Sequence, residues 1–319
     1  MGNYVKEAKM WSGAGYIVIP VSSLKNPNLK EWTSISKPFS GEECERLFSN
    51  CWGIGLVCGT DKKITAVDVD SKHSLTSDFF ETFIAAIPKT ILEKCYHQST
   101  MSGGAHLVFS CNKVGRNEKL ANRLTTSYEK HETYLSAFKD IKTRENALNI
   151  ALNDKVKVLL ETRSEGGFIV IVPSPGYEHI SGKIKELTEG EYDELMTICR
   201  SFNEYFEPHK DYKKDKIIRE NDTNPFEKYN EGADVLDLLL NYGWEVVGQN
   251  NSSVRLKRYG NPTSKSSALL DLNTKVFNVF TTSTIFEANK GYSPASVFTM
   301  LECNNDTMLA YRKLTELGY

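Results

Sequence analysis

Short aliphatic and β-branched runs, bounded by Gly, Pro, Asn and Asp, alternate along the chain with stretches whose apolar residues recur at helical spacing. The first pattern predicts strands and the second helices. After a short helical lead, residues 15–21, 53–58 and 64–70 read as strands. Gly59-Thr60-Asp61-Lys62 joins the last two and has the composition of a hairpin turn. Ser40 with Glu43 makes a capping box that opens a short helix through Phe48. Residues 75–87 have helical spacing and stop before Pro88. Residues 91–97 and 105–111 read as strands on either side of Thr100-Met101-Ser102-Gly103-Gly104. Residues 117–153 hold neither Gly nor Pro and predict one or two helices outside the sheet. Residues 156–162 and 168–172 predict a second hairpin around Ser164-Glu165-Gly166-Gly167, and Thr188 with Glu191 caps a helix to about residue 206.

Residues 207–231 break the pattern with Pro208, lysines, Arg219 and Asn/Asp clusters, and read as a linker or exposed arm. A smaller α+β module follows over residues 232–319. It holds a helix over 233–242 stopped by Gly243 and strands at 244–247, 253–258, 268–272 and 277–280. A helix opened by Ser293-Pro294 and a last helix from Asp306 to Gly318 complete it. The expected plan is a catalytic domain over residues 1–206, the linker, and an accessory module.

Side chains on a strand alternate faces, so Asp68 and Asp70 share one face of residues 64–70, roughly 7 Å apart at Cα. An apolar strand carries two such acids when a cation or partner neutralises them, and hard divalent ions prefer carboxylate oxygens. A strand end that merely reaches solvent is the plainer alternative. In the Ser102-Gly103-Gly104-Ala105-His106 stretch, glycine N–H groups offer themselves to phosphate oxygens, and Ser102 adds a hydroxyl. His106 opens an apolar strand that aims its ring at the same place; taken alone, a plain glycine turn with a strand-edge histidine is the simpler reading of the stretch. On residues 156–163, Glu161 and Arg163 share a face. Glu161 offers a third carboxylate, and Arg163 suits a triphosphate or an ion pair with Asp68 or Asp70.

Taken in order, Gly53-Ile54-Gly55-Leu56, Gly59, Val67-Asp68-Val69-Asp70, Ser102-Gly103-Gly104-Ala105-His106, Leu160-Glu161-Thr162-Arg163, Gly166-Gly167 and Pro173-Ser174 resemble the primase–polymerase domain of the archaeo-eukaryotic primase superfamily, in its phage and plasmid versions. The resemblance covers about residues 10–205; Gly15-Tyr16-Ile17-Val18-Ile19-Pro20 and Lys30 with Trp32 look like that family's opening. It implies an α+β, two-lobed catalytic core with an RRM-like sheet. It implies that Asp68, Asp70 and Glu161 hold two Mg²⁺ or Mn²⁺ ions, Glu161 filling a position that is often Asp. It also implies that Ser102, Gly103, Gly104, His106 and Arg163 contact the incoming nucleotide. Many relatives carry Ser two residues before the histidine, where this chain has Gly104, and residues 117–153 look like an insertion. The implied activity is template-directed nucleotidyl transfer from nucleoside triphosphates, making and extending primers on single-stranded DNA.

Composition narrows the field. The net charge is −2 over 319 residues, so any nucleic-acid surface is local. No apolar run reaches the roughly 18 residues of a membrane span, and the N-terminus lacks the apolar core of a secretion signal. The seven cysteines are scattered without a Cys-x-x-Cys pair, which suits a reduced cytoplasm, of a bacterium or phage-infected host, and no zinc. No Walker A motif occurs, so a helicase partner is expected as a separate protein or a further C-terminal segment. Residues 250–290 carry six basic residues against two acidic, +4 in a negative chain, interleaved with Tyr259, Phe277, Phe280 and Phe286. Basic groups track phosphates and aromatic faces stack on bases, so Arg255, Lys257, Arg258 and Tyr259 are expected on template DNA. The rivals are another Asp-x-Asp metal enzyme, such as a nuclease or glycosyltransferase, and a replication initiator that binds DNA without a working site.

Overall fold

The structure, a computed structural model, describes residues 3–113, 115–141, 143–208, 224–260 and 265–319. Most of the expected linker, residues 209–223, lies outside them. The chain divides into two compact units, Met1–Leu195 and Met196–Tyr319.

In the first unit, α1 (Asn3–Gly13) leads to β1 (Val18–Val21), α2 (Gly41–Phe48), β2 (Gly53–Val57) and β3 (Ile64–Val69). Then come α3 (Phe79–Ala86), α4 (Lys89–Leu92), β4 (Tyr96–Ser99), β5 (Ala105–Cys111) and β6 (Lys119–Leu124). Next are α5 (Ser127–Ile141), α6 (Arg144–Asn153), β7 (Val156–Arg163), β8 (Phe168–Ile171), β9 (Glu178–Ser181), β10 (Glu186–Leu187) and α7 (Glu189–Arg200). Both capping boxes form: Glu43 N–H donates to Ser40 and Ser40 N–H to Glu43, and Thr188 and Glu191 reciprocate likewise. Among the described residues, the strands make an antiparallel sheet β1-β2-β8 and a larger one, β6-β7-β3-β5-β4-β9, with β10 parallel to β5. Ile64, Ala66 and Val108 of the larger sheet pack on Ile54, Leu56, Ile169 and Ile171 of the smaller, with Ala8, Cys44 and Phe48 closing the core. The α+β class holds.

Neither expected hairpin forms. Gly59 and Ile64 exchange two backbone hydrogen bonds, at 2.7 and 3.0 Å, and the ladder goes no further. Beyond that pair, β2 joins the smaller sheet and β3 the larger. The second turn does the same between β7 and β8. The two crossings run side by side: a Cβ on Gly59, whose φ is +73°, would lie 3.0 Å from Glu165 Cα. A turn of hairpin composition serves equally to pass the chain between two stacked sheets, and burial on both faces decides which.

Other differences have similar causes. Residues 119–124 are strand, not helix, because Leu120 and Ala121 are fully buried along β7, and packing overrides propensity there. Residues 91–92 belong to α4, so the strand expected at 91–97 starts at Tyr96. The helix after Thr188 stops at Arg200.

The second unit contains β11 (Glu207–Pro208), α8 (Pro225–Gly232), α9 (Val235–Asn241), β12 (Glu245–Gln249), β13 (Ser253–Lys257) and β14 (Ala268–Asp271). It ends with β15 (Phe277–Val279), β16 (Lys290–Tyr292), α10 (Pro294–Glu302) and α11 (Thr307–Glu316). Helix α8 begins within the stretch read as linker and runs one residue past it: Asn224 accepts from Phe226 N–H and Pro225 takes the first helical position. The strands form one sheet, β11-β16-β15-β14-β13-β12. Val254, Leu256, Leu270 and Phe277 on it pack with Leu239, Trp244 and Val297. Phe277, Phe280 and Phe286 are 0%, 2% and 3% exposed, so these aromatics are core and not a base-stacking surface. Among the described residues, no helix is long and apolar enough to cross a membrane.

Candidate active site

Strand pairing puts the chemistry in one row. Asp68 of β3 stands opposite Glu161 of β7 on one side and His106 of β5 on the other; His106 stands opposite Gln98 of β4. Directly opposed residues share a face, so Glu161, Asp68, His106 and Gln98 line up across four strands. Asp70 follows at the end of β3, two residues on. Ligand oxygens of Asp68, Asp70 and Glu161 all lie within 4.8 Å of one another.

The loop after Asp70 is held firmly. Asp70 N–H donates to Leu159 O at 2.9 Å, and His73 Nδ1 donates to Val158 O at 2.8 Å. The buried Arg123 of β6 donates to His73 O and forks onto Glu129 of α5 at 2.5 and 2.8 Å. The Arg123 hydrogen bond pulls the Glu129 carboxyl from its ordinary 4.5 down to about 2. A depressed carboxylate stabilises the fold above its unfolded value and loses that contribution as pH falls through the folded one. Glu129→Gln therefore lowers unfolding free energy by about 2 kcal/mol at pH 7, and the gap to wild type closes between about pH 4.5 and 2. Urea unfolding of both proteins across that range checks it; a gap independent of pH would contradict it.

The acids face cations and one another. Arg163 contacts Glu161 and lies 3.6 Å from Asp68, while Lys72 lies 3.3 Å from Asp70. His106 Nε2 is 3.4 Å from Asp68 Oδ1. Burial raises the Asp68 carboxyl, but the His106 hydrogen bond and the Arg163 guanidinium outweigh it and hold it below the usual range. Glu161 goes the other way: burial, with the Asp68 and Asp70 charges, pushes it up against the pull of Arg163. Arg163 thus makes the ion pair that the sequence left open, and at 37% side-chain exposure it also faces a cavity of about 300 Å³. Lys25, Lys72, Ser102 and Tyr177 line that cavity with Asp68, Asp70 and His106, and Phe168 to Val170 of β8 form its apolar side. Lys25 Nζ sits 5.5 Å from the Tyr177 ring centroid, and burial raises the Tyr177 hydroxyl to about 12.

The glycine turn works differently from the sequence reading. Gly103 N–H donates to Thr100 O and Gly104 N–H to Thr100 Oγ1, so both amides are engaged within the turn. Gly104 is required by space: a Cβ there would lie 2.0 Å from Val69 O. What the turn presents to the cavity is the exposed Ser102 side chain together with the buried Thr100. Ser174 is likewise structural, since its hydroxyl accepts Ile54 N–H at 2.9 Å and a Cβ on Gly53 would clash with it. Sequence reasoning missed Lys25, Lys72, Tyr177 and Gln98. None of the four carried a signal in the sequence, Gln98 standing among the polar neighbours of the Tyr96-His97-Gln98-Ser99 strand.

In the second unit, Arg255 is exposed and Lys257 half-buried on one face of β13, and Tyr259 is exposed just beyond them. Arg258 donates to Tyr259 O at 3.0 Å. Tyr259 also borders a second cavity of about 340 Å³ with Tyr242, Trp244 and Ile285.

An all-carboxylate donor set of this size fits a hard divalent cation such as Mg²⁺ or Mn²⁺. The family model for the bifunctional DNA primase/polymerase N-terminal domain matches residues 8–192. No curated protein matches the chain. The family match takes in Asp68 and Asp70, the glycine turn with His106, and the Glu161 strand, and it spans more than half of the sequence. The chain belongs to the bifunctional DNA primase/polymerase family.

Proposed function

We propose that the first unit transfers nucleotides from nucleoside triphosphates to a 3′-hydroxyl on a single-stranded DNA template, making and extending primers. The observation that carries this is the meeting of Asp68, Asp70 and Glu161 within 4.8 Å, from strands far apart in sequence, beside His106. These acids hold two Mg²⁺ or Mn²⁺ ions, which when bound supply charge stabilisation to the entering and leaving oxygens. His106 and Ser102 orient the triphosphate, and Lys25, Lys72 and Arg163 offset its charge. Such a reaction needs placement and charge neutralisation, and no side chain has to act as a covalent nucleophile. The second unit holds the template through Arg255, Lys257, Arg258 and Tyr259. The setting is replication of a phage or mobile element, with a helicase supplied separately.

A primer-free assay on single-stranded DNA circles tests this, with labelled ribo- or deoxynucleotides and Mg²⁺ or Mn²⁺ in turn. Labelled product complementary to the circle is expected, and chelation of the metal abolishes it. Degraded circles point to a nuclease instead, and an inert protein that still binds the circles points to an initiator. In the same assay, Arg255→Glu with Lys257→Glu reduces primer synthesis more than extension of a supplied primer. Equal losses count against the template role.

A further inference from the structure

Gln98 is fully buried and ties the two sheets of the first unit together at the site. Its Nε2 donates to Val170 O at 2.7 Å, and its Oε1 accepts from Val172 N–H at 3.2 Å. A carbonyl can only accept and a backbone N–H can only donate, so these two bonds admit one orientation of the amide. In that orientation Nε2 also points its second hydrogen at His106 Nδ1, 2.9 Å away. Nδ1 must then be the bare, accepting nitrogen, and the hydrogen of the neutral ring sits on Nε2, which faces Asp68. The other tautomer would set two donors against each other, and relieving them by turning the amide breaks both bonds to β8 and the residue after it.

We propose that Gln98 is a positioning residue: it fixes His106 as the neutral tautomer with hydrogen on Nε2, so that the ring meets the nucleotide's phosphates as a donor and stays out of the metal's ligand set. This rests on reading the cavity as a nucleoside triphosphate site. It accounts for a buried histidine beside three acids that offers no lone pair to a cation. A metal site that used His106 would need a hydrogen-bond acceptor at position 98.

The test is the nitrogen-15 spectrum of the full chain labelled in its histidine rings, with His106 assigned from the His106→Gln variant. In wild type, Nδ1 of His106 is expected to resonate as bare nitrogen and Nε2 as protonated. Gln98→Glu places an acceptor against Nδ1 and is expected to exchange the two signatures. The same variant is expected to raise the nucleotide KM about tenfold or more, with a smaller change in kcat, as fits loss of a hydrogen bond to a charged acceptor. A protonated Nδ1 in a wild-type enzyme that incorporates nucleotides overturns the inference and leaves the polymerase reading standing. A bare Nδ1 in a protein that incorporates nothing upholds the part assigned to Gln98 and overturns only the polymerase reading. Exchanged signatures with an unchanged KM overturn the link between tautomer and substrate. Should Gln98→Glu fail to fold, the wild-type spectrum alone decides.

Discussion

Asp68→Asn or Asp70→Asn lowers nucleotide incorporation by about a thousandfold or more, on the scale of losing a main electrostatic group from a site. The fold is left standing. Asn keeps the shape of Asp, and each replacement removes one negative charge from three acids crowded within 4.8 Å. Arg163 keeps Glu161 as a partner when Asp68 is neutralised, and Lys72, the partner of Asp70, is itself half-exposed. The melting temperature is therefore expected to stay within about 2 °C of wild type. Primer extension and calorimetry on the purified variants separate the two quantities. A doubly substituted protein that still extends primers refutes the assignment of these acids.

Gly104→Ser has the opposite profile, and it is the change that resemblance to relatives would recommend. The serine common there two residues before the histidine has no room in this chain. Its Cβ would stand 2.0 Å from Val69 O and 3.2 Å from Val69 C. Both are backbone atoms of β3, in register with Ala105 of β5, so no flexible side chain can yield. The end of β3 has to move, and Asp70 moves with it. The expected cost is about 3 kcal/mol or more, a fall of roughly 6–12 °C in melting temperature, with incorporation lost alongside. A Gly104→Ser protein that melts like wild type would show that the approach of Val69 is not a constraint. The exposed Ser102 already presents a hydroxyl to the same cavity, within 3.4 Å of Thr100 Oγ1.

How much of this was legible in the sequence depends on the range of the interaction. Ser40 with Glu43 and Thr188 with Glu191 act over three residues, and the capping boxes form as read. Period-two alternation put Asp68 and Asp70 on one face and Glu161 with Arg163 on one face. Resemblance to a family supplied what spacing could not, that the two faces are the same. The partition of the strands between two sheets was hidden, because Gly59-Thr60-Asp61-Lys62 has the same local chemistry in a hairpin as in a crossing. Phe277, Phe280 and Phe286 misled for a related reason: interleaved charge and aromatic residues look alike whether the rings face solvent or core. Gln98 was invisible as a functional residue because its partners are a backbone carbonyl and amide more than seventy positions away.

The alignment of Glu161, Asp68, His106 and Gln98 has a consequence for misfolding. The four occupy one rung, each supplied by a different strand. A slip of β3 by a single residue would turn its acid to the far side and offer valine in its place. A chain trapped in that state would hold its layers together yet lack the oxygens that gather a cation. Mispairing in this protein should therefore yield inert molecules, not careless ones, and specific activity becomes a gauge of correct strand alignment across a preparation.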